Sequence, residues 1–266
     1  MFTMLAKNIK LYFVLTFFEA KRFQAYPTEI IASIAKRLIE ITLYITFWLI
    51  VSSNSNADIN GRDIVSYYLI ITGITSFFFT QLGAGSQLVQ LIKTGELNQV
   101  LIKPMYPLLA PFSIRAGRSL INLIWGGLQI VAGIIIAGGI GNSNWLLFPI
   151  ILINTMLINV ALNIFVGTLG FYFIEAGGIK NVVVHITTIA GGLLIPLFLM
   201  PQAISNALQI FTPFPASQYQ MAIFLQGTYP LNSWFVFIGL LWGVAVIVAS
   251  VKFWNYSLKH YEATGA

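Results

Sequence analysis

The chain has 266 residues, of which 58% are hydrophobic, 14% aromatic and only 8% charged, and its mean hydropathy is +0.84. A water-soluble domain carries charge on about a quarter of its residues, so this composition excludes a globular aqueous fold and requires lipid as solvent. The formal charge of +6 falls between apolar tracts and reads as topology and headgroup signals rather than a nucleic-acid surface, while the absence of cysteine excludes disulfides, thiolate metal sites and a cysteine nucleophile.

Residues 1–25 do not form a signal-peptide pattern, because the longest uncharged apolar run, Leu11 to Phe18, is about half a span and no small-residue cleavage site follows. Lys7, Lys10 and Thr3 recur at helical spacing beside Phe2, Leu5, Ile9 and Phe13, which predicts an amphipathic helix in the membrane interface. Spans are then expected where charge is missing, since a mid-bilayer charge costs roughly 2.5–3.5 kcal/mol. The first covers 34–53, with Lys36 and Arg37 snorkelling at one end. The second covers 64–82 and runs on toward Lys93. Residues 119–174 carry no charge and are interrupted by Gly141-Asn142-Ser143-Asn144, so they predict two spans and a tight turn.

The next uncharged tract, between Lys180 and Lys252, is too long for two spans and too broken for three. Pro201, Pro213, Pro215 and Pro230 interrupt it, so 185–200 is read as most of a fifth span and 233–251 as the sixth. The interval 201–231 becomes short re-entrant helices that protein or a wet cavity must cover. The expected fold is therefore a single all-α membrane domain over 1–266, with six transmembrane helices. Six crossings put thirteen of the fourteen basic residues on the side of the termini and only Arg62 opposite, which predicts cytoplasmic termini.

The chemistry inventory is largely negative. No Gly-Lys-Ser or Gly-Lys-Thr supplies a phosphate loop, no Gly-x-Ser-x-Gly supplies a nucleophile elbow, and His185 and His260 lack metal-ligand spacing. No metal site and no enzyme activity on this chain are expected, and His185 is read as a buried or interfacial structural histidine. The small-residue groups Gly83-Ala84-Gly85-Ser86, Gly126-Gly127, Gly138-Gly139 and Gly191-Gly192 predict close helix packing. No ionisable residue is central in a span, and Glu40 is expected to pair locally with Lys36. Gln81, Asn122, Gln129, Asn159 and Asn163 fit either interhelical hydrogen bonding or a weakly polar pathway.

Two connections are neither span nor simple tether. In Leu91 to Pro104, Gly95 can end one helix, Glu96 to Ile102 can form a short second one, and Pro104 stops it, a shape suited to docking on another protein. Phe173 to Lys180 is a second, glycine-containing connection with one acid.

The stretch Thr94-Gly95-Glu96-Leu97-Asn98-Gln99-Val100-Leu101-Ile102-Lys103-Pro104-Met105-Tyr106-Pro107 resembles the signature that follows the second span in bacterial type-two ABC transporter permeases, notably their viologen-exporter-like branch. Phe173 to Gly178, Gly191 to Pro201 and Phe211 to Ala216 resemble that family's fifth-span and proline-rich outer patterns, in the same order, so the similarity covers nearly the whole chain. The resemblance implies a permease subunit of an ATP-driven exporter in the bacterial cell membrane, acting as a homodimer or paired heterodimer. ATP and magnesium would be held by a separate ATPase subunit. It implies ATPase docking by Gly95, Glu96 and Leu97, with Lys103 and Pro104 as the exit of a coupling helix at 94–104, and an outer gate at Pro196 and Pro201. It transfers no substrate-contacting residue. A stand-alone channel or secondary carrier for a small solute is the competing expectation.

Overall fold

Helix is the only regular structure among the described residues, as a chain that must close its backbone hydrogen bonds inside lipid requires. The computed structural model describes residues 2–54, 60–78, 83–103, 105–140, 144–173 and 176–261. Among the described residues, three helices are long and apolar enough to cross a membrane: α7 (Leu120–Ala137), α8 (Leu147–Thr168, continued by a 3-10 turn to Phe171) and α13 (Ser233–Lys259). Only 17% of the apolar window of α7 and 22% of that of α13 is buried by the chain itself, against 61% for α8. The first two therefore need an apolar solvent around them, and α8 is the central post.

The other elements are shorter or more charged. Helix α1 (Phe2–Gln24) leads into α2 (Pro27–Asn54), which has the length to cross but contains Lys36, Arg37 and Glu40. Helix α3 (Gly61–Phe77) has 17 residues, and the chain resumes as α4 (Gly83–Lys93), α5 (Leu97–Leu101) and α6 (Leu109–Arg118). Helix α7 closes at two glycines, where the Gly138 N–H bonds to the Ile135 carbonyl and that of Gly139 to the Ile134 carbonyl.

The expectation for 185–200 is corrected by the structure. Helix α9 occupies Ala176–Ala190, so it takes in Lys180 and stops well before Met200. At φ +83°, Gly192 turns the chain out of the helix, and the N–H groups of Leu193 and Leu194 both fold back to the Thr188 carbonyl at 3.0 Å. Pro196 then starts a 3-10 turn at Leu197–Leu199, and α10 (Gln202–Phe211), α11 (Phe214–Ser217) and α12 (Tyr219–Gln226) follow. Apolarity is continuous across 185–200, so a hydropathy reading runs through a break that backbone geometry makes.

Helix α3 packs chiefly on α7, α8 on α13 and α4, and α1 on α6, while α12 touches α3, α7 and α8 and ties the groups together. Each of these main seams has a glycine at its closest approach. A Cβ on Gly73 would stand 2.7 Å from the Gly126 carbonyl oxygen, and one on Gly126 2.6 Å from that of Gly73. Gly85 meets the Asn163 carbonyl between α4 and α8, Gly239 meets Ala216 and Asn154 beside α13, and Gly117 meets Thr16 and Glu19 between α6 and α1. Gly127, by contrast, faces open space. Apolar clusters fill the interior, a smaller one joining Ile158, Leu162 and Val166 of α8 to Ala216 of α11 beside two larger ones. Of the larger two, one joins Tyr67, Ile70 and Ile74 of α3 to Ile151 of α8 and Phe224 of α12; the other joins Leu88 and Leu91 of α4 to Leu97, Ile164 and Trp254.

The adjoining glycines of α7 give an internal control. Replacing Gly126 by Ala pushes a methyl into the α3 backbone and should destabilise by about 1–3 kcal/mol, whereas Gly127→Ala should be neutral or gain several tenths from helix propensity. Thermal unfolding of the two variants in the same detergent measures the difference, and equal midpoints would contradict the seam.

Candidate functional site

The loop after α4 is shaped by Gly95, whose φ of +73° takes the chain around a corner that a β-carbon would strain. Its carbonyl receives the Asn98 N–H at 3.2 Å, and α5 begins at once. This five-residue helix is two-sided. Leu97, at 0% exposure, and Val100 are buried among Leu88, Leu91, Ile92, Leu108 and Trp254. Glu96, Gln99 and Lys103 are exposed, and Ile102 stands 84% exposed. The structure thus separates residues that the resemblance groups for docking: Leu97 points inward and anchors the segment, while Ile102, which the resemblance does not single out, is the exposed apolar side chain. Pro104 lies outside the described residues.

A second feature is a polar cleft of about 260 Å³ between α2, α3 and α9, lined by Glu40, Tyr44, Thr75, Lys180, Thr188 and Gln218 among others. Helical spacing places Lys36, Glu40 and Tyr44 on one side of α2, and Lys180, Val184 and Thr188 on one side of α9. Both helices are lightly held by the rest of the chain, and their other sides are exposed and apolar at Leu43, Phe47 and Ile50 on α2 and at Val182, Ile186 and Ile189 on α9. His185 is exposed on α9 rather than buried.

The polar residues singled out by sequence divide. Asn159 donates to the carbonyls of Thr155 at 2.7 Å and Ser217 at 3.0 Å, and Asn163 donates to the Asn159 carbonyl at 2.8 Å while its Oδ1 accepts the Gly85 N–H at 2.9 Å. These two hold α11 and α4 to α8. Gln129 is buried on α7, with its Oε1 unpartnered among the described residues. Asn122, at the start of α7, accepts from Arg37 Nε at 3.1 Å. Gln81 lies outside the described residues.

Arg37 corrects the snorkelling expectation, because it turns inward to Asn122 and to the Ser76 hydroxyl and so cross-links α2 to α7 and α3. Nor do Lys36 and Glu40 form an ion pair. The ion pairs among the described residues join Glu19 to Arg22 and to Arg118, both at 3.6 Å. Near Arg37, the cleft between α1, α2, α6 and α7 also receives Lys36, Arg115 and Arg118. Burial lowers the Arg115 pKa, and the positive charges of Arg37 and Arg118 lower it further. The spacing of Arg115 and Arg118 on one face of α6 was available in the sequence, but nothing there showed that α1 and α2 would meet it.

At the other end of α7, Arg62 Nε donates to the Ile136 carbonyl. An 18-residue helix is about 27 Å long, so Arg62 and the arginine group lie at opposite ends of the bundle. Pro196 and Pro201 flank the 3-10 turn near Arg62's end of α3. Pro196 is buried and Pro201 exposed. The Tyr67 hydroxyl donates to the Gly192 carbonyl at 2.6 Å, and the Trp48 indole and Tyr68 hydroxyl donate to that of Leu194 at 3.1 and 3.2 Å. Phe198 stacks on Tyr229 with ring centres 4.0 Å apart.

No group of three or more histidine, aspartate or glutamate side chains suited to a metal occurs among the described residues. What the described residues present instead is the exposed side of the α5 segment, the polar cleft beside α2 and α9, and the apolar outer faces of the long helices. No curated protein matches the sequence. The family model described as ABC-2 family transporter protein matches residues 38–265, which takes in α2 beyond its first charged residues and everything after it. The chain therefore belongs to the ABC-2 transporter family and is a multi-pass membrane permease component of an ABC transporter, whose ATPase is a separate subunit.

Proposed function

We propose that this permease is one half of an ATP-driven exporter, crossing the bacterial cell membrane six times, through α2, α3 with α4, α7, α8, α9 and α13, with both termini in the cytoplasm. The observation that carries the reading is the two-sidedness of α5. Its inner face is locked into the cluster that holds Leu88, Ile164 and Trp254, and its outer face offers Glu96, Gln99, Ile102 and Lys103 to a partner. A short helix fixed in this way transmits a push rather than absorbing it.

In this mechanism two ATPase subunits hold ATP and magnesium and close on each other. Their movement displaces α5, and Leu97 passes the displacement to α4, α8 and α13 as rigid bodies. Gly95 sets the corner and Lys103 with Pro104 the exit. A second permease, identical or paired, sits against the exposed sides of α2 and α9 and encloses the polar cleft between them. That arrangement supplies the wall that a single copy lacks. At the Arg62 end, α10–α12 form a re-entrant cap over the outer mouth, with Pro196 and Pro201 bounding its moving edge. Helix α1 lies in the inner interface, where exposed Phe13, Phe17 and Phe18 suit acyl chains and Lys21 and Arg22 suit headgroups. The opposite placement of Arg62 and the arginine group supports this orientation.

Docking is tested by Ile102→Asp, which leaves the inner face of α5 intact. Capture of the ATP-binding partner from native membranes should weaken by about 2 kcal/mol, roughly thirtyfold, with the unfolding midpoint of the permease unchanged. Undiminished capture would sink the assignment, and transport by the purified chain alone in liposomes would favour a free-standing carrier.

The absence of cysteine makes topology directly readable. In sealed inside-out vesicles a membrane-impermeant maleimide should label Glu96→Cys but not Arg62→Cys, and right-side-out vesicles should reverse the two. Leu241→Cys, on the exposed apolar face of α13, should resist the reagent in both. Labelling of Glu96→Cys and Arg62→Cys from one side would contradict the crossing scheme.

A further inference from the structure

We propose that the cleft between α1, α2, α6 and α7 binds the phosphate group of an anionic lipid headgroup. Lys36, Arg37, Arg115 and Arg118 enter this space of about 270 Å³ together with Glu29 and Glu40. Three of its charges are accounted for or exposed. Arg118 Nε faces Glu19 at 3.6 Å, Arg37 bonds to the neutral Asn122 and Ser76, and Lys36 is on the open rim. Arg115 is different. Its Nε is sealed from solvent without a hydrogen-bond partner, and neither Glu29 nor Glu40 reaches it as an ion pair among the described residues. A partly buried guanidinium whose Nε is closed off beside Gly83, with Arg37 and Arg118 for neighbours, is costly until an anion reaches it from the cleft, and a phosphate oxygen matches its planar fork.

The walls favour a lipid over a free phosphate. Phe23 and Ile121 line the same cleft, and beyond it the outer surface of α7 remains apolar and exposed at Leu120 and Ile124. A soluble ion has no use for such a rim, whereas a glycerophospholipid can set its phosphate against Arg115 and its chains along α7. The bound headgroup would join α1, α2, α6 and α7 at one point. The site concerns the annular lipid of the chain itself and stands whether or not the transport direction or the ATPase contact is as proposed above.

Native mass spectrometry of the purified full chain, titrated with phosphatidylglycerol or phosphatidylcholine, tests the site. Wild type should retain phosphatidylglycerol in preference, and Arg115→Gln should weaken that retention about tenfold. Lys252→Gln, an exposed lysine near the end of α13, should leave it unchanged. Lys36→Gln, on the rim, should weaken it several-fold and decides the matter by the same criterion if Arg115→Gln does not fold. Equal retention of phosphatidylglycerol by wild type and these variants overturns the site. No preference for phosphatidylglycerol, combined with a rise in unfolding midpoint on adding inorganic phosphate that Arg115→Gln abolishes, overturns the lipid source and assigns the pocket to a soluble phosphate.

Discussion

In hydrocarbon, an opened backbone carbonyl or N–H has no water to turn to, and the path of this chain depends on how its helix breaks are closed. Side chains of neighbouring helices do much of that work. Asn154, Gln220 and Gln226 donate to the carbonyls of Val236, Phe235 and Asp63 near helix starts, where backbone N–H groups already serve them, and so tie helix to helix. Gln218 adds a second donor to the Thr187 carbonyl near the end of α9, and Thr155 and Asn159 reach the carbonyls of Ala216 and Ser217 in the four-residue α11, which has no later turn to serve them. Tyr67, Tyr68 and Trp48 do the same for the turn that leaves α9. The proline-rich stretch can therefore lie against the bundle as three short helices because amides and hydroxyls elsewhere were placed to receive it. Each net bond contributes only about a kcal/mol, but leaving the carbonyl bare would cost more.

The same bonds explain why a membrane protein so poor in charge still has a specific fold. Apolar burial distinguishes poorly between one helix face and another when lipid is as apolar as the core, so contact is set by small residues and polar pairs. Helix α8 displays both devices. Thr155, Asn159 and Asn163 recur every four residues along one side, and on Gly167 a Cβ would meet Leu88 of α4. Its buried side therefore carries a polar row among apolar residues such as Ile151, Ile158 and Ile164.

Much of this was legible before the structure. Uncharged length identified α7, α8 and α13, and proline spacing marked where the chain could not continue as one helix. The corner at Gly95 followed from a glycine between two short helical patterns. What escaped the sequence were orientations set by tertiary neighbours. Leu97 opens the short α5 and Ile102 directly follows it, both apolar, and only the position of Trp254 and Leu88 decides which is buried. Arg37 has the composition of a snorkelling residue, but Ser76 and Asn122 offer it acceptors inside the bundle. Asn159 and Asn163 could have lined a path or closed a contact, and the choice rests on where Gly85 and Ser217 arrive. Hydropathy also cannot register the glycine turn that shortens α9, because glycines and their neighbours there are as apolar as the helix they end.

Helix α6 connects the two charged regions of the bundle. Its start, through Ala110 and the preceding Leu108, belongs to the cluster that seats α5, and its last turn carries Gly117 against α1 and Arg118 against Glu19. At ten residues, about 15 Å, it is too short to bend appreciably. Were α5 displaced as proposed, the shift would reach the α1 contact through α6 as a rigid body, unless the seam at Gly117 slips. The close approach of Gly117 to the Thr16 and Glu19 backbone region leaves little room for slip. On the coupling proposed above, α1 would then move together with α6, with its exposed aromatic face turned to the lipid.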